Sequence, residues 1–151
     1  MFRVIIATAL IALLAGPAVA QQPTKRSQAP EGVVLYFINL RDGMHLYPHF
    51  TVRFGLKGMG VAPAGVEKAA TGHHHLLIDS DITNFDEPIP NDRNHLHYGA
   101  GLTEAEVDLP PGKHTLQLVL GNEDHMAFDP PIVSKKITVT VVKHSPKVAA
   151  Q

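Results

Sequence analysis

The sequence predicts an all-β fold, an immunoglobulin-like antiparallel β-sandwich of about seven strands in a single domain. Three observations support this class. Short segments rich in β-branched and aromatic residues recur over residues 33–143, turn residues separate them, and no amphipathic helical pattern lies between them. Because parallel strands need long crossover connections, usually helices, the strands are expected to pair antiparallel.

The N-terminal segment has the pattern of an export signal. Met1-Phe2-Arg3 provides a positively charged start, residues 4–15 form a continuous apolar stretch, and Ala18-Val19-Ala20 is an A-x-A cleavage site. The apolar stretch is too short for a transmembrane helix. We therefore expect a signal peptide at residues 1–20, cleaved after Ala20, and a mature protein that is periplasmic and not embedded in the membrane.

The mature chain is expected to hold one domain between two irregular ends. Residues 21–31 are polar and contain prolines, which predicts a flexible leader over residues 21–32. The β-sandwich domain is predicted over residues 33–143, and a frayed tail over residues 144–151.

The first two strands are indicated by composition and by alternation. VVLYFINL (33–40) is β-branched and aromatic and ends at the turn signal Arg41-Asp42-Gly43. FTVRFGL (50–56) places its large apolar residues on one face and its polar residues on the other. Residues 57–72 are rich in Gly and Ala, and we expect them to form a long surface loop or a loop with one short turn of helix.

The later strands are predicted by the same signals. A polar loop with two prolines (80–94) and a second loop (122–131) separate them, together with the turn Pro110-Pro111-Gly112. The five predicted strands are HHHLLID (73–79), HLHYG (95–99), LTEAEVDL (102–109), KHTLQLVLG (113–121) and IVSKKITVTVV (132–142).

Composition excludes several classes of function. Lys and Arg number 13 against 14 Asp and Glu, and no basic block occurs, so nucleic acid is not an expected partner. The absence of cysteine rules out disulfides and thiolate metal sites. Any bound metal must therefore be held by histidine, methionine, carboxylate or backbone groups.

The ten histidines are the main functional signal. An H-x-H pattern places His73 and His75 on one face of a strand, about 7 Å apart, and does the same for His95 and His97. His74 is expected to point to the opposite, apolar face. If the two strands are neighbours, their imidazoles converge, and imidazole is a good ligand for copper and zinc. With one loop histidine added, the predicted metal ligands are His73, His75, His95, His97 and His125.

An all-imidazole site suits Cu(II) or Zn(II), so copper is the expected metal and zinc the second choice. Asp79 shares a face with the first histidine pair and is expected to orient an imidazole. The function expected is that of a carrier, buffer or delivery module. Its partner would be a metal-delivery protein or another envelope protein.

Two other functions fit the same residues. The histidines can form a buried polar network that fixes loops 57–72 and 80–94, which would make the protein a non-metal interaction module of the envelope. A copper or zinc metalloenzyme is the less favoured alternative, with Glu104 as the nearest candidate acid or base. No serine lies in a G-x-S-x-G context, and no nucleophilic triad is legible. The oligomeric state stays open, although an unpaired final strand (132–142) could join two copies.

Three long motifs carry a resemblance to a known family. GMGVAPAGVEKAATGHHHLLID (58–79), DEPIPNDRNHLHYGAG (86–101) and LPPGKHTLQLVLGNEDH (109–125) occur in this order. On these motifs the chain resembles a bacterial family of exported domains, domain of unknown function 4399, over about residues 34–142. The resemblance implies a secreted one-domain β-sandwich with a triple-histidine strand, an H-x-H strand and a loop histidine. The matching residues here are His73, His74, His75, His95, His97 and His125.

Overall fold

The computed structural model describes residues 26–143, and within this range all regular structure is β. The predicted signal peptide and tail, and the start of the predicted leader, lie outside the described residues. None of the described residues belongs to a helix long and apolar enough to cross a membrane. The strands are β1 (Val34–Phe37), β2 (Met44–Leu46), β3 (His49–Lys57), β4 (Gly60–Val61), β5 (Thr71–Ile78), β6 (His95–Tyr98), β7 (Glu104–Asp108), β8 (Gly112–Gly121) and β9 (Ile137–Val141).

The strands form two sheets, which confirms the predicted immunoglobulin-like β-sandwich. The smaller sheet has the order β1-β3-β7 and is antiparallel. The larger sheet has the order β2-β9-β8-β5-β4, and β6 pairs with β5 along the edge that β4 also uses. The two strands that the sequence did not predict, β2 and β4, are short and pair parallel to their neighbours. The final strand β9 lies between β2 and β8 rather than at an edge.

The main core lies between the two sheets, because alternate residues of each strand point inward. Strand β8 shows this in its central segment, where Leu116 and Leu118 are fully buried. The smaller sheet contributes Leu35, Val52, Phe54 and Val107 to this core, and the larger sheet contributes Leu76, Leu116, Leu118, Leu120 and Val139.

A second, smaller core covers the other face of β5. Leu77 of β5 packs with Val119 of β8, with Ile89 of the loop before β6, and with Ala127 of the loop after β8. Strand β5 is therefore buried on both faces over residues 72–78. Because both faces are covered, the residues of HHHLLI are all buried and do not alternate between buried and exposed positions.

Part of the predicted leader packs against the sandwich. The Arg26 guanidinium donates hydrogen bonds to the backbone oxygens of Ala127 and Phe128, at 3.2 and 2.5 Å. The backbone N–H of Ala29 donates to the oxygen of Asp129 at 2.9 Å. Residues 26–29 therefore lie along the segment that follows β8.

Truncation of the core of β8 should destabilise the protein. Leu118 is fully buried, so we expect Leu118→Ala to leave a cavity and to lower the free energy of unfolding by about 2–5 kcal/mol. Urea unfolding followed by circular dichroism measures the change. The control Leu102→Ala removes a side chain that is 47% exposed and should change stability by less than about 0.5 kcal/mol. Equal losses in the two variants would contradict the described core.

Candidate metal centre

Three consecutive histidines occupy the first half of β5, and all three are fully buried. His74 faces the main core, as expected, because its neighbours on that face are apolar. Its ring packs against Phe54 with the ring centroids 5.0 Å apart, and its Nδ1–H donates to the oxygen of Leu102 at 3.1 Å. His73 and His75 point to the opposite face of the sheet.

Strand pairing brings two further imidazoles to that face. In the antiparallel ladder between β5 and β6, His97 lies directly opposite His75 and therefore points to the same side. His125 comes from the loop that follows β8. We call these four residues, His73, His75, His97 and His125, the histidine cluster. Their ring centroids lie 4.7–6.2 Å from one another.

The ring nitrogens of the cluster face a common space. One nitrogen from each of His73, His97 and His125 lies within 4.8 Å of the other two. The Nε2 atoms of His75 and His73 are 3.0 Å apart, so that one N–H donates to the other nitrogen. Imidazole nitrogens bind zinc at about 2.0–2.1 Å, which places donors around one ion about 3.5 Å apart. The present separations of up to 4.8 Å exceed this spacing, so coordination of one ion would require the three rings to move closer together.

Two glycines make room for the rings. A Cβ atom at Gly121, which lies opposite His73 in the β5–β8 ladder, would be 2.9 Å from Nε2 of His75. A Cβ atom at Gly99, just after β6, would be 2.3 Å from Nε2 of His97. Both distances are shorter than van der Waals contact, so the cluster depends on the absence of a side chain at both positions.

The loop that carries His125 is held in an unusual conformation. His125 has a φ of 65°, in the left-handed region that residues other than glycine rarely adopt. Buried Asn122 organises the loop, because its Oδ1 accepts the backbone N–H of Met126 and its backbone oxygen accepts that of His125. The N–H of Ile89 also donates to the backbone oxygen of His125. Strain of this kind persists only where surrounding contacts enforce it, and it concentrates at functional sites.

Burial favours the uncharged form of three of the four imidazoles, those of His73, His75 and His97. It lowers the pKa of His73 to about 4 and that of His75 to about 2, and repulsion from the neighbouring imidazoles adds to the effect. Burial also lowers the pKa of His97, with His125 contributing. The neutral imidazole is the form that binds a metal ion, so at neutral pH these rings need not release a proton first.

Several buried nitrogens of the cluster have no hydrogen-bond partner among residues 26–143. These atoms are Nδ1 of His73, Nδ1 of His75 and Nε2 of His97. A buried polar atom without a partner costs about 1–3 kcal/mol, and such atoms are uncommon in folded proteins. The donor set therefore fits a ligand that supplies the missing interaction.

His95, the remaining predicted ligand, is not brought into the cluster. It lies at the start of β6 opposite Leu77, two residues and about 7 Å along the strand from His97. Its Nδ1 is 2.9 Å from Oδ1 of Asp92, and its Nε2 is 2.8 Å from Oγ of Ser80. Both ring nitrogens thus have partners, and the role of His95 as a metal ligand stays a prediction.

Two acids do not take the positions that the sequence suggested. Asp79 adopts a φ of 51°, which ends the alternation of β5, and its carboxylate binds Nδ1 of His114 and the N–H of Thr115, both at 2.7 Å. It therefore orients His114 and not an imidazole of the cluster. Glu104 lies in the smaller sheet and pairs with Arg53 at 3.0 Å.

The sequence did not reveal which residues position the rings of the cluster. Gly121 and Asn122 fix the positions of the rings, but their roles depend on contacts between separate segments. The one visible signal is the glycine that ends the otherwise alternating strand KHTLQLVLG.

Comparisons with known proteins give a family and distant structural likenesses. The model of the family described as "Domain of unknown function (DUF4399)" matches residues 52–142 of the chain. No curated protein matches the chain. The chain is similar, at 16% identity and a TM-score of 0.45, to the endo-beta-1,4-mannanase from Thermotoga petrophila, with 74% of this chain and 20% of that chain covered.

Two smaller solved structures are matched over their full length. The fibronectin(III)-like modules of Clostridium thermocellum CbhA share 8% identity with a TM-score of 0.37, over 74% of this chain and 100% of that chain. The PKD domain from human KIAA0319 shares 9% identity with a TM-score of 0.42, over 90% of this chain and 100% of that chain.

The buried cluster should make the metal-free protein acid-sensitive. Because the pKa of His73 and of His75 is lowered, the unfolded chain binds protons below about pH 6.5 while these two native imidazoles stay neutral. Stability should therefore fall as the pH decreases from about 6.5 to 4. The slope should be up to about 1.4 kcal/mol per pH unit for each histidine.

Urea unfolding in the presence of EDTA, at several pH values across this window, measures the slope. His75→Gln removes one titrating group and should flatten it, whereas the control His45→Gln changes an exposed histidine of β2 and should not. A slope that is the same in wild type and His75→Gln would show that His75 is not kept neutral by the fold.

Proposed function

The chain belongs to the DUF4399 family, and from this premise we propose that it is an exported, periplasmic module that binds one transition-metal ion in the histidine cluster. One observation carries the proposal. Three imidazole nitrogens from separate parts of the chain lie within 4.8 Å of one another. The fourth imidazole, that of His75, hydrogen-bonds to His73 and can complete the donor set.

Copper is the preferred ion, and zinc the second choice. The chain has no cysteine, so thiolate ligands are excluded and the donors at the cluster are imidazoles. Nitrogen donors bind divalent metals in an order that peaks at Cu(II), above Zn(II). The lowered pKa of His73 and of His75 supports metal binding at neutral pH, because no proton competes at these rings.

The burial of the cluster favours a carrier or delivery role. His73 and His75 are fully buried, whereas His97 and His125 are half-buried and form the accessible side. The loop between β4 and β5 borders this side, because Ala64 donates its N–H to the oxygen of Gly99. A metal-delivery or envelope protein would exchange the ion through the two half-buried rings.

A second function, an envelope interaction module without a metal, is favoured by one observation. The hydrogen bond between His73 and His75 is of ordinary length, 3.0 Å, and needs no ion. In this function the histidines stabilise loops 57–72 and 80–94, which form the binding surface. Loss of stability without loss of metal affinity in cluster variants would support it.

Metal titration of the mature protein tests the proposal. Protein from the periplasmic fraction, expected to begin at Gln21, should carry or take up one equivalent of metal. We expect His97→Ala/His125→Ala to lower the affinity for Cu(II) and Zn(II) by at least about 100-fold, because two of the converging donors are lost. Elemental analysis and calorimetric titration of the untagged apoprotein measure the binding.

The matched control is His95→Gln, which removes a histidine of the same strand whose nitrogens contact Ser80 and Asp92. Affinity should be unchanged in this variant, and a large loss would place His95 among the ligands. If the wild-type protein binds no more tightly than the folded double variant, the metal-binding proposal is wrong.

A ligand-preserving variant gives an independent test. Gly121→Ala keeps every histidine but places a Cβ atom 2.9 Å from Nε2 of His75 and 3.3 Å from that of His73. We expect the displaced rings to weaken metal binding by about 10-fold or more, since donors misplaced by a fraction of an ångström coordinate poorly. The same titration measures the change, with circular dichroism as the check on folding. An unchanged affinity would show that these two rings are not ligands.

A further inference from the structure

A serine, a histidine and an aspartate form a hydrogen-bonded series at the ends of the loop between β5 and β6. Oγ of Ser80 is 2.8 Å from Nε2 of His95, and Nδ1 of His95 is 2.9 Å from Oδ1 of Asp92. The side chain of His95 is 12% exposed and that of Asp92 is 53% exposed. Fifteen residues separate the serine from the histidine, so the series depends on how the loop closes.

From this order of atoms we propose that Ser80, His95 and Asp92 form a nucleophilic site that hydrolyses esters of short-chain carboxylic acids. The arrangement of hydroxyl, imidazole and carboxylate is that of a catalytic triad, which is recognised by geometry and not by sequence position. The activity would be separate from metal binding at the histidine cluster.

The carboxylate sets the tautomer of His95. Oδ1 of Asp92 also accepts the backbone N–H groups of Asn94, at 2.8 Å, and of His95, at 3.0 Å. An oxygen that receives two backbone N–H groups acts as an acceptor, so the ring nitrogen of His95 that faces it is the donor. Nδ1 of His95 therefore carries the proton and Nε2 is free to accept the hydroxyl proton of Ser80.

Two other histidine–aspartate pairs, His49–Asp108 and His114–Asp79, occur among the described residues, and the second shows how the pair of His95 differs. His114 contacts Asp79 through Nδ1 at 2.7 Å, but its Nε2 is 2.9 Å from the backbone oxygen of Pro110. A carbonyl oxygen only accepts hydrogen bonds, so Nε2 of His114 carries a proton. It therefore cannot take a proton from a hydroxyl group. Among the histidine–aspartate pairs of residues 26–143, the pair of His95 is the one in which the second ring nitrogen contacts a hydroxyl group.

The surroundings of His95 provide space for a small substrate. A cavity of about 180 Å³ adjoins its ring, with an apolar wall that includes Ile82, Pro88 and Pro90. The rest of its lining is polar (Asp81, Thr83, Asn84 and Glu87), and its volume can hold a short acyl chain. The backbone N–H groups of Asp81 and Ile82, next to the nucleophile, donate no hydrogen bond to other described residues. They are available to stabilise the negative oxygen that forms during attack.

The reaction balances as an ordinary ester hydrolysis. Oγ of Ser80 bonds to the carbonyl carbon of the ester while its proton passes to Nε2 of His95. The ester C–O bond then breaks, and the alcohol leaves with that proton. Water next gives a proton to Nε2, and its oxygen bonds to the acyl carbon. The bond to Oγ breaks, the acid leaves, and the proton returns to Ser80.

Covalent labelling tests the assignment directly. The mature protein, kept in EDTA, is treated with diethyl p-nitrophenyl phosphate, and the modified residue is identified by peptide mass spectrometry. Turnover of p-nitrophenyl acetate is measured in parallel. We expect Ser80 to be labelled at least about 100-fold faster than Ser27, a partly buried serine whose hydroxyl contacts the amide of Asn122.

The variants separate a catalytic role from a structural one. His95→Gln and Asp92→Asn should each slow labelling at Ser80 by at least about 100-fold, and Asp92→Glu should recover part of the rate. The control His114→Gln breaks the His114–Asp79 pair and should have no effect. Thermal unfolding checks that each variant is folded.

A thiol in place of the nucleophile provides a second measurement. Ser80→Cys should react with iodoacetamide faster than Ser80→Cys/His95→Gln, because His95 draws the proton from the thiol. The proposal is overturned if the label appears on other hydroxyls or on none. It is also overturned if His95→Gln labels as fast as the wild type. Either result would make the series a structural link that anchors the loop between β5 and β6.

Discussion

The burial of both faces of β5 is the constraint on which the rest of the site depends. A strand in this position ordinarily carries mainly apolar residues, but here three fully buried histidines occupy its third to fifth positions. A buried imidazole needs a partner for its ring nitrogens, because an unpaired polar atom is costly. His74 finds one in the carbonyl of Leu102, and His73 and His75 find each other. The neighbouring segments must leave space for these rings, and Gly121 does so.

The histidine cluster is not an arrangement that maximises stability. Burial disfavours the protonated forms of His73 and His75, some ring nitrogens have no partner among the described residues, and His125 has a left-handed backbone. The unpaired nitrogens and the left-handed backbone cost free energy in the metal-free protein, and the lowered pKa values of His73 and His75 add a cost below about pH 6.5. An ion bound to the cluster would compensate for part of this cost by coordinating the nitrogens. The same features would remain costs if the cluster only fixed loops.

Strand β6 supplies one histidine to each of two groups of hydrogen-bonded or closely packed side chains. His95 and His97 point to the same side of the sheet, yet about 7 Å along a strand is enough to give them different neighbours. The loop after β8 brings His125 to His97. The loop between β5 and β6 brings Ser80 and Asp92 to His95. The sheet thus sets the spacing of the two imidazoles, while the loops decide the chemistry of each.

The sequence by itself determined the fold class and the faces of the strands, because both follow from local composition and from the two-residue period of a strand. It correctly paired His73 with His75 on one face and set His74 on the other. It also named His125 as a candidate ligand, and the structure brings that residue into the cluster. It did not determine that His95 would contact Ser80 and Asp92, since those contacts depend on how the loop between β5 and β6 closes. It also failed to predict that the carboxylate of Asp79 would contact His114 and not the histidine cluster. Asp79 has a left-handed backbone just after β5, which breaks the alternation on which the prediction rested. Tertiary structure decided these points because ring nitrogens select partners within about 3 Å, a scale that spacing along the chain does not specify.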